Sequence, residues 1–332
     1  MSGRRWPAEW EPHEATWIVW PWDASIWGPH HEGAQRAIAA SIAALSHHER
    51  VDVLVPSAAW SFAVRERVER HGGRADAVRI ACAPSDDVWV RDAGPTVIFE
   101  DARRRCIDWN FDAWGGKFPH AHDAGAAERL ASAAGLERER APFTFEGGAI
   151  EGDGAGTVLC TRSVARARGA GGVDAVEGAL CALLGAERVV WLERGMGSDD
   201  TDGHVDTLAR FAPSGAILAH AAASSSHPDA DALEANLATL RGVFEEVVPL
   251  PAGVLEVDGE VRPASYANFY VANGLVLVPQ YGLATDADAL ALVAAHHPGW
   301  RAVPIPCRAL VTQGGAIHCA TQQLPVPPRS AR

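Results

Sequence analysis

Two kinds of apolar run alternate along the chain. Short runs rich in β-branched residues predict strands, and longer alanine-rich or amphipathic runs predict helices. The alternation of the two favours a mixed α/β architecture. The predicted strands span residues 50–56, 96–100, 156–160, 188–192, 215–220 and 274–280. The predicted helices span residues 34–48, 58–72, 174–185, 228–243 and 286–296.

Short segments that combine polar residues with glycine recur beside the predicted strands. They read WVRDAGP, FEGGAI, TDGHVD, NFYVANG and QGGAIHC. The chain shows no strict repeat, but one such turn in each structural unit would bring distant residues to a common centre. No low-complexity linker marks a boundary, so we predict a single catalytic domain over residues 1–332.

Composition and charge narrow the classes of function. The 332 residues are 48% hydrophobic, enough for a large core. The net charge of −13 disfavours binding to nucleic acid or to an anionic membrane, and it favours a small cationic ligand. The N-terminal segment lacks the apolar core of a secretory signal, and the six scattered cysteines form no disulfide framework. We therefore expect a cytoplasmic protein, and a homo-oligomer is left open.

Cys319 stands in an unusual local context. Gly314 and Gly315 precede it, and glycine lets a backbone approach a ligand closely or adopt a positive φ. From these residues alone, a buried thiol and a nucleophile remain equally open. On a strand, the adjacent His318 would point away from Cys319. We therefore predict that His318 is a structural neighbour and that the catalytic base comes from elsewhere.

The segment TDGHVD offers that base. On a strand, His204 and Asp206 would lie on the same face, because they are two residues apart. An imidazole can carry a proton near neutral pH, and the carboxylate could orient it or bind a cation. A polar loop with an incidental histidine remains the alternative.

Further carboxylates lie beside glycines or aromatic residues. Glu146 precedes a glycine pair, and Asp87 and Asp92 flank Trp89. Ordinary turn chemistry would also account for them. The segment PHAHD, residues 119–123, carries candidate metal ligands, but the chain has no HExxH motif, zinc-type cysteine spacing or phosphate-binding loop. We expect neither a metal nor an organic cofactor.

Eight segments, taken in order, resemble those of the agmatine deiminases and bacterial-type peptidylarginine deiminases. The resemblance covers nearly the whole chain and implies the pentein fold, a five-bladed pseudosymmetric α/β propeller. The segments are PAEWEPHEATWIVWPWD, DDVWVRDAGPT, WNFDAWGGKF, EGGAIEGDGAGT, DDTDGHVDT, ASYANFYVANG, VPQYG and GGAIHCATQQ.

The resemblance also assigns roles to residues. It implies that Cys319 is the nucleophile and His204 the general acid and base. Asp92 and Asp206 match the carboxylates that hold a substrate guanidinium, and Glu146 matches an acidic partner in the same pocket. Three further residues complete the expected substrate-binding set: Trp89, Asn268 and Asp87.

The opening and final segments are most similar to agmatine deiminases, which convert agmatine to N-carbamoylputrescine and ammonia on the way to putrescine. The chain departs from that pattern in three places. It lacks an asparagine-rich continuation after Gly156, it reads QGGAIHC in place of GGGNIHC, and residues 206–265 form a short stretch. Free or peptidyl arginine or a guanidino acid therefore remains open as substrate, as do an amidinotransferase and a metal-dependent guanidino hydrolase.

Overall fold

Strands and helices alternate through the computed structural model, which describes residues 3–101, 103–168 and 171–327. The strands are β1 (Arg4–Arg5), β2 (His13–Val19), β3 (Arg50–Val55), β4 (Val78–Cys82), β5 (Thr96–Glu100), β6 (Arg103–Asp108), β7 (Glu137–Arg140), β8 (Ile150–Gly152), β9 (Thr157–Thr161), β10 (Arg188–Leu192), β11 (Ala209–Phe211), β12 (Ile217–Ala222), β13 (Val247–Ala252), β14 (Leu255–Val257), β15 (Glu260–Arg262), β16 (Tyr270–Ala272), β17 (Leu275–Gln280), β18 (Arg301–Pro306) and β19 (Thr321–Pro325). The helices are α1 (Ala24–Trp27), α2 (His31–Leu45), α3 (Trp60–Arg70), α4 (Val90–Ala93), α5 (Ala113–Gly116), α6 (Ala126–Ala133), α7 (Arg162–Ala167), α8 (Val173–Leu184), α9 (Ala230–Arg241) and α10 (Asp286–Ala295).

One structural unit recurs five times in the described ranges. In four of the units an antiparallel strand pair is followed by a helical crossover and a strand parallel to the second: β5–β6 and β7, β8–β9 and β10, β11–β12 and β13, and β16–β17 and β18. The fifth unit joins the two ends of the chain, because β19 pairs antiparallel with β2, and β3 and β4 follow in parallel. Parallel pairing requires such crossovers. The predicted five-unit α/β architecture is confirmed.

The central strand of each unit explains why the apolar runs were visible in the sequence. The strands β9, β12 and β17 are buried along nearly their whole length, as expected of strands covered on both faces. Both β5 and β10 have the predicted bounds, and the other predicted strands agree within a few residues. No helix in the described part of the chain is long and apolar enough to cross a bilayer.

The helix bounds differ from prediction by a few residues. The helix α2 begins at His31 rather than residue 34, because a 3-10 turn over Gly28–His30, with a proline inside, leads directly into it. It ends at Leu45, where Ser46 caps the backbone. Its buried face follows the helical period, with Ile38 and Ile42 fully covered.

Four of the polar–glycine segments lie in a short turn immediately before the first strand of a unit, and the fifth, NFYVANG, begins in such a turn and continues through β16. The turn before β5 carries Asp92, and the one before β8 carries Gly148. Those before β11, β16 and β19 carry Asp206, Asn268 and Cys319. The expected meeting of distant turns at one centre is confirmed, and the five-fold repetition of the unit is its cause.

Candidate active site

The turns before β5, β11 and β19 line a chamber of about 260 Å³. In the other two turns, the Gly148 amide contacts Asp92 and the Asn268 side chain contacts Cys319. Cys319, His204 and Asp92 line its inner part, and the Trp89 ring forms one wall. Asp206 and Asn268 are fully or almost fully buried directly behind the thiol. The structure thus brings together the main residues that the sequence singled out.

The Cys319 thiol is 7% exposed and has two polar neighbours. Asn268 Nδ2 donates a hydrogen bond to Sγ over 3.1 Å, and Sγ lies 3.4 Å from Asp206 Oδ2. Burial first, and then the charges of Asp206 and Asp92, raise the pKa of the Cys319 thiol well above its usual value. A thiol in this position therefore holds its proton until a positive charge enters the chamber.

His204 lies between two carboxylates. Its Nδ1 is 3.7 Å from Asp92 Oδ2, and its Nε2 is 3.4 Å from Glu146 Oε2. Burial lowers the pKa of His204, but Asp92 and Glu146 outweigh burial and raise it to about 9. Within the described residues neither ring nitrogen has a hydrogen-bond partner, although each faces a carboxylate.

Asp92 and Asp206 present carboxylates to the same space and are held by different groups. Asp92 accepts hydrogen bonds from the Gly148 amide over 2.9 Å and from Trp114 Nε1 over 3.0 Å. Burial raises the pKa of Asp92 to about 6, in spite of the nearby His204. Burial also opposes ionisation of Asp206, but His318 outweighs it and lowers the pKa of Asp206.

The predicted strand around His204 is wrong. Residues Val205–Thr207 form a 3-10 turn, with His204 as its extended first flank. Asp206 does not orient His204, because its Oδ2 lies 2.7 Å from His318 Nδ1. His204 and Asp206 do not share a strand face, because a turn, unlike a strand, does not alternate its side chains between two faces.

The predicted orientation of His318 is also wrong. His318 and Cys319 lie in one turn, and both reach Asp206 Oδ2. The other ring nitrogen of His318, Nε2, lies 2.9 Å from Glu9 Oε2. Carboxylates on both sides occupy both nitrogens. The geometry therefore agrees with a structural role for His318, though for a reason different from the predicted one.

At two positions of the site, Gly148 and Gly315, there is no room for a Cβ atom. A Cβ at Gly148 would lie 2.6 Å from His204 Nδ1 and 2.7 Å from Asp92 Oδ1. A Cβ at Gly315 would lie 2.5 Å from the Trp89 ring. Gly314 adopts a φ of +91°. The predicted positive φ is confirmed at Gly314, whereas the close neighbour of Gly315 is the Trp89 ring.

Asp87 lies apart from the thiol, on the wall that separates the chamber from a second cavity of about 350 Å³. Its Oδ1 accepts a hydrogen bond from the Val88 amide over 2.7 Å. Burial raises the pKa of Asp87 to about 7. The structure thus places Asp87 in the lining of the chamber, at its border with the second cavity.

The PHAHD segment does not form a cluster of ligands. The Asp123 carboxylate accepts hydrogen bonds from the amides of Asp86 and Asp87 over 3.0 and 2.9 Å. His120 Nδ1 donates to the Phe118 carbonyl over 2.9 Å. Through residues 3–101, 103–168 and 171–327, no three His, Cys, Asp or Glu side chains are grouped to hold a metal ion.

Sequence reasoning missed two residues that contact the site. Trp114 donates to Asp92, and it was only part of a matching segment, WNFDAWGGKF. Arg168 Nε lies 2.5 Å from Glu146 Oε1. No signal in the sequence joins Arg168 to Glu146, because the two are on different turns of one unit and Arg168 lies in an arginine-rich helix end that predicts an exposed surface.

A five-unit α/β propeller whose turns gather a thiol, an imidazole and carboxylates is the pentein architecture expected from the resemblance. Residues 5–325 match the model of one family, the Porphyromonas-type peptidyl-arginine deiminases. The chain belongs to this family.

Known relatives agree with this assignment. The agmatine deiminase of Pseudomonas aeruginosa is 33% identical, with 98% of this chain and 96% of the relative covered. The agmatine deiminase of Stutzerimonas stutzeri is 32% identical, with 98% of this chain and 97% of the relative covered. The solved structure of Enterococcus faecalis agmatine deiminase is 30% identical, covers 97% of this chain and 96% of its own, and superposes with a TM-score of 0.88. The chain is therefore a deiminase-type enzyme that hydrolyses carbon–nitrogen bonds.

Proposed function

We propose that this enzyme hydrolyses agmatine to N-carbamoylputrescine and ammonia through a covalent intermediate on Cys319. One arrangement carries the proposal. The Cys319 thiol lies 3.4 Å from the Asp206 carboxylate, and His204, in the same site, lies between the carboxylates of Asp92 and Glu146. The relatives named agmatine deiminase, similar over nearly their whole length, support the choice of substrate.

The residue types suit a guanidinium. This group is planar and cationic, and carboxylates can accept its N–H groups in a forked geometry. Asp92 and Asp206 both approach Gly148 closely, because glycine has no Cβ to keep them apart. Burial of these carboxylates makes a cation the favoured occupant, because the chamber otherwise holds more negative than positive charge.

The first half of the cycle breaks the carbon–nitrogen bond. The bound cation favours loss of the Cys319 proton to solvent, since it offsets the charges that raise the pKa of the thiol. Sγ then bonds to the guanidinium carbon. His204 is protonated at neutral pH and gives its proton to the departing nitrogen, which leaves as ammonia. The carbon remains attached to Cys319 as an amidino thioether.

The second half restores the enzyme. Neutral His204 accepts a proton from water, and the water oxygen bonds to the same carbon. The carbon–sulfur bond breaks, the hydroxyl proton of the intermediate passes to sulfur, and the ureido product and the Cys319 thiol are released. In the second half His204 recovers the proton that it gave in the first half. The chain's own residues suffice for this sequence of steps.

The outer part of the chamber offers contacts for the other end of agmatine. Asp87 and Asp200 line it, and their carboxylates suit a primary ammonium. Arg262 also lines this region, but its guanidinium is paired with Glu260 over 2.5 Å. Phe118 and Trp114 supply apolar surface for the methylene chain between the two charged ends.

We further propose a small cationic guanidino compound as the partner of this site, in preference to nucleic acid or a membrane, and action in the cytoplasm. The net charge of −13 and the absence of paired cysteines among the described residues support this proposal. A homo-oligomer stays open, and sedimentation of the purified protein measures it.

Substrate screening tests the proposal. Ammonia and ureido products are measured with agmatine, arginine, guanidinobutyrate and an arginine-containing peptide. We expect the highest kcat/KM with agmatine, inactivation by thiol alkylation with protection by agmatine, and indifference to chelators. Putrescine and urea as products, with chelator sensitivity, would indicate the metal-dependent alternative. Transfer of the amidino group to an added amine would indicate an amidinotransferase.

The pH dependence of kcat/KM should be bell-shaped. Asp92 must be ionised to bind the cation, so activity should fall as the pH drops through about 6, the raised pKa of Asp92. His204 must be protonated to donate, so activity should fall again as the pH rises through about 9. Steady-state rates at low substrate from pH 5 to pH 10 measure both limbs. A profile that rises toward acid pH would contradict these assignments.

A further inference from the structure

Glu146 has two carboxylate oxygens with different partners. Oε1 is 2.5 Å from Arg168 Nε, and Oε2 faces His204 Nε2 at 3.4 Å. Both the Glu146 and Arg168 side chains are buried, at 0% and 1% exposure. The ion pair therefore uses one oxygen of Glu146 and leaves the other for the histidine.

Arg168 also holds the turn that leads to His204. Its Nη1 donates to Asp202 Oδ2 over 2.7 Å, and its Nη2 donates to the Thr201 carbonyl over 3.0 Å. Asp202 adopts a φ of +67°, which is uncommon for a residue other than glycine. All three guanidinium nitrogens thus contact Glu146 or the segment just before His204.

We propose that Arg168 is a positioning residue of the active site, which aims Glu146 at His204 and fixes the turn that carries the histidine. This inference rests on the proposed function of His204 as the proton carrier. It assigns Glu146 to His204 rather than to direct binding of the substrate guanidinium, because Arg168 already occupies the other oxygen.

The charge of Arg168 matters because His204 lies among acidic groups. The carboxylates that face it from the neighbouring turns and its own turn are Asp92, Glu146, Asp206 and Asp199. Arg168 is the cation behind Glu146, and the imidazole of His318 lies behind Asp206. Without Arg168, Glu146 Oε1 loses its ion-pair partner, so Oε2 is no longer held 3.4 Å from His204 Nε2. A carboxylate that moves away from His204 supports the charge on the imidazole less.

The test compares Arg168→Gln with Arg166→Gln. Arg166 lies on the same helix, but it is 58% exposed and pairs with Glu193 over 2.8 Å, so its loss should leave activity unchanged. For Arg168→Gln we expect kcat for agmatine to fall about 10- to 100-fold, with KM nearly unchanged. The alkaline limb of the pH profile should move down by about one unit, because His204 loses one of its supporting charges.

Two further measurements separate positioning from general damage. If Arg168 acts through Glu146, the losses in Glu146→Gln and Arg168→Gln should not add in the double variant. Arg168→Lys keeps the charge but cannot reach all three partners, so it should lower kcat while leaving the alkaline limb near its original position. Arg168→Lys also serves if Arg168→Gln does not fold.

Titration of His204 in a protein that cannot turn over substrate tests the role of Arg168 independently of the proposed substrate. In Cys319→Ala protein, the His204 imidazole can be titrated by NMR with and without Arg168→Gln, and we expect a lower pKa in the double variant. Failure of the wild type to release ammonia from agmatine would overturn the proposed function and not this result. An unmoved His204 titration, or equal behaviour of the two arginine variants, would overturn the role of Arg168.

Discussion

Cys319→Ser should lose turnover by on the order of 10³-fold or more, while the protein keeps its fold and its affinity for agmatine. A serine hydroxyl is close in size to the thiol, so the contacts with Asn268 and Asp206 can persist. It ionises far less readily, however, so the bound cation cannot convert it into an effective nucleophile.

Single-turnover ammonia release measures the loss, and the thermal shift on adding agmatine measures retained binding. Cys82→Ser is the matched control, because Cys82 is exposed on β4, away from the chamber. Substantial ammonia release by Cys319→Ser, or loss of activity in Cys82→Ser, would refute the assignment of the nucleophile.

Gly148→Ala should reduce kcat/KM by at least about 100-fold. The added methyl group would overlap His204 and Asp92, at 2.6 and 2.7 Å, and would lie 3.1 Å from Asp206 Oδ2. It would therefore push apart three groups that must converge on one guanidinium. A shift of about 1 Å in such an arrangement is enough to cost this much, since the reacting atoms lose their alignment.

Gly178→Ala provides the control for Gly148→Ala. Gly178 lies in the helix α8 with open space around its Cα, so an added methyl group meets nothing within 4 Å. It should leave kcat/KM unchanged and leave the melting temperature equal or slightly higher, because alanine is the better helix former. Normal activity in Gly148→Ala would show that these groups do not surround the substrate as described.

The sequence revealed the parts of the fold that have strong local signals. The apolar runs of β9, β12 and β17 were visible because central strands are buried on both faces. The three-residue strands β8, β11 and β16 were not, because so short a run has no readable period. The pairing of β19 with β2 joins opposite ends of the chain, and no local pattern encodes it.

The site shows the same division. Cys319 and His204 were found because their segments resemble those of a known family, and the glycines beside them have purely local reasons. Which carboxylate serves which histidine could not be found, because it depends on the turns that five units bring together. Asp206 pairs with His318, and Glu146 pairs with Arg168, although neither pair is close in sequence.

Rapid quenching of the wild-type enzyme with agmatine, followed by mass measurement of the protein and its peptides, tests the central claim most directly. We expect a transient protein species heavier by one agmatine less one ammonia, located on the peptide that contains Cys319. It should decay as N-carbamoylputrescine appears. Complete product formation with no such species at Cys319, or accumulation of urea and putrescine, would contradict the covalent mechanism.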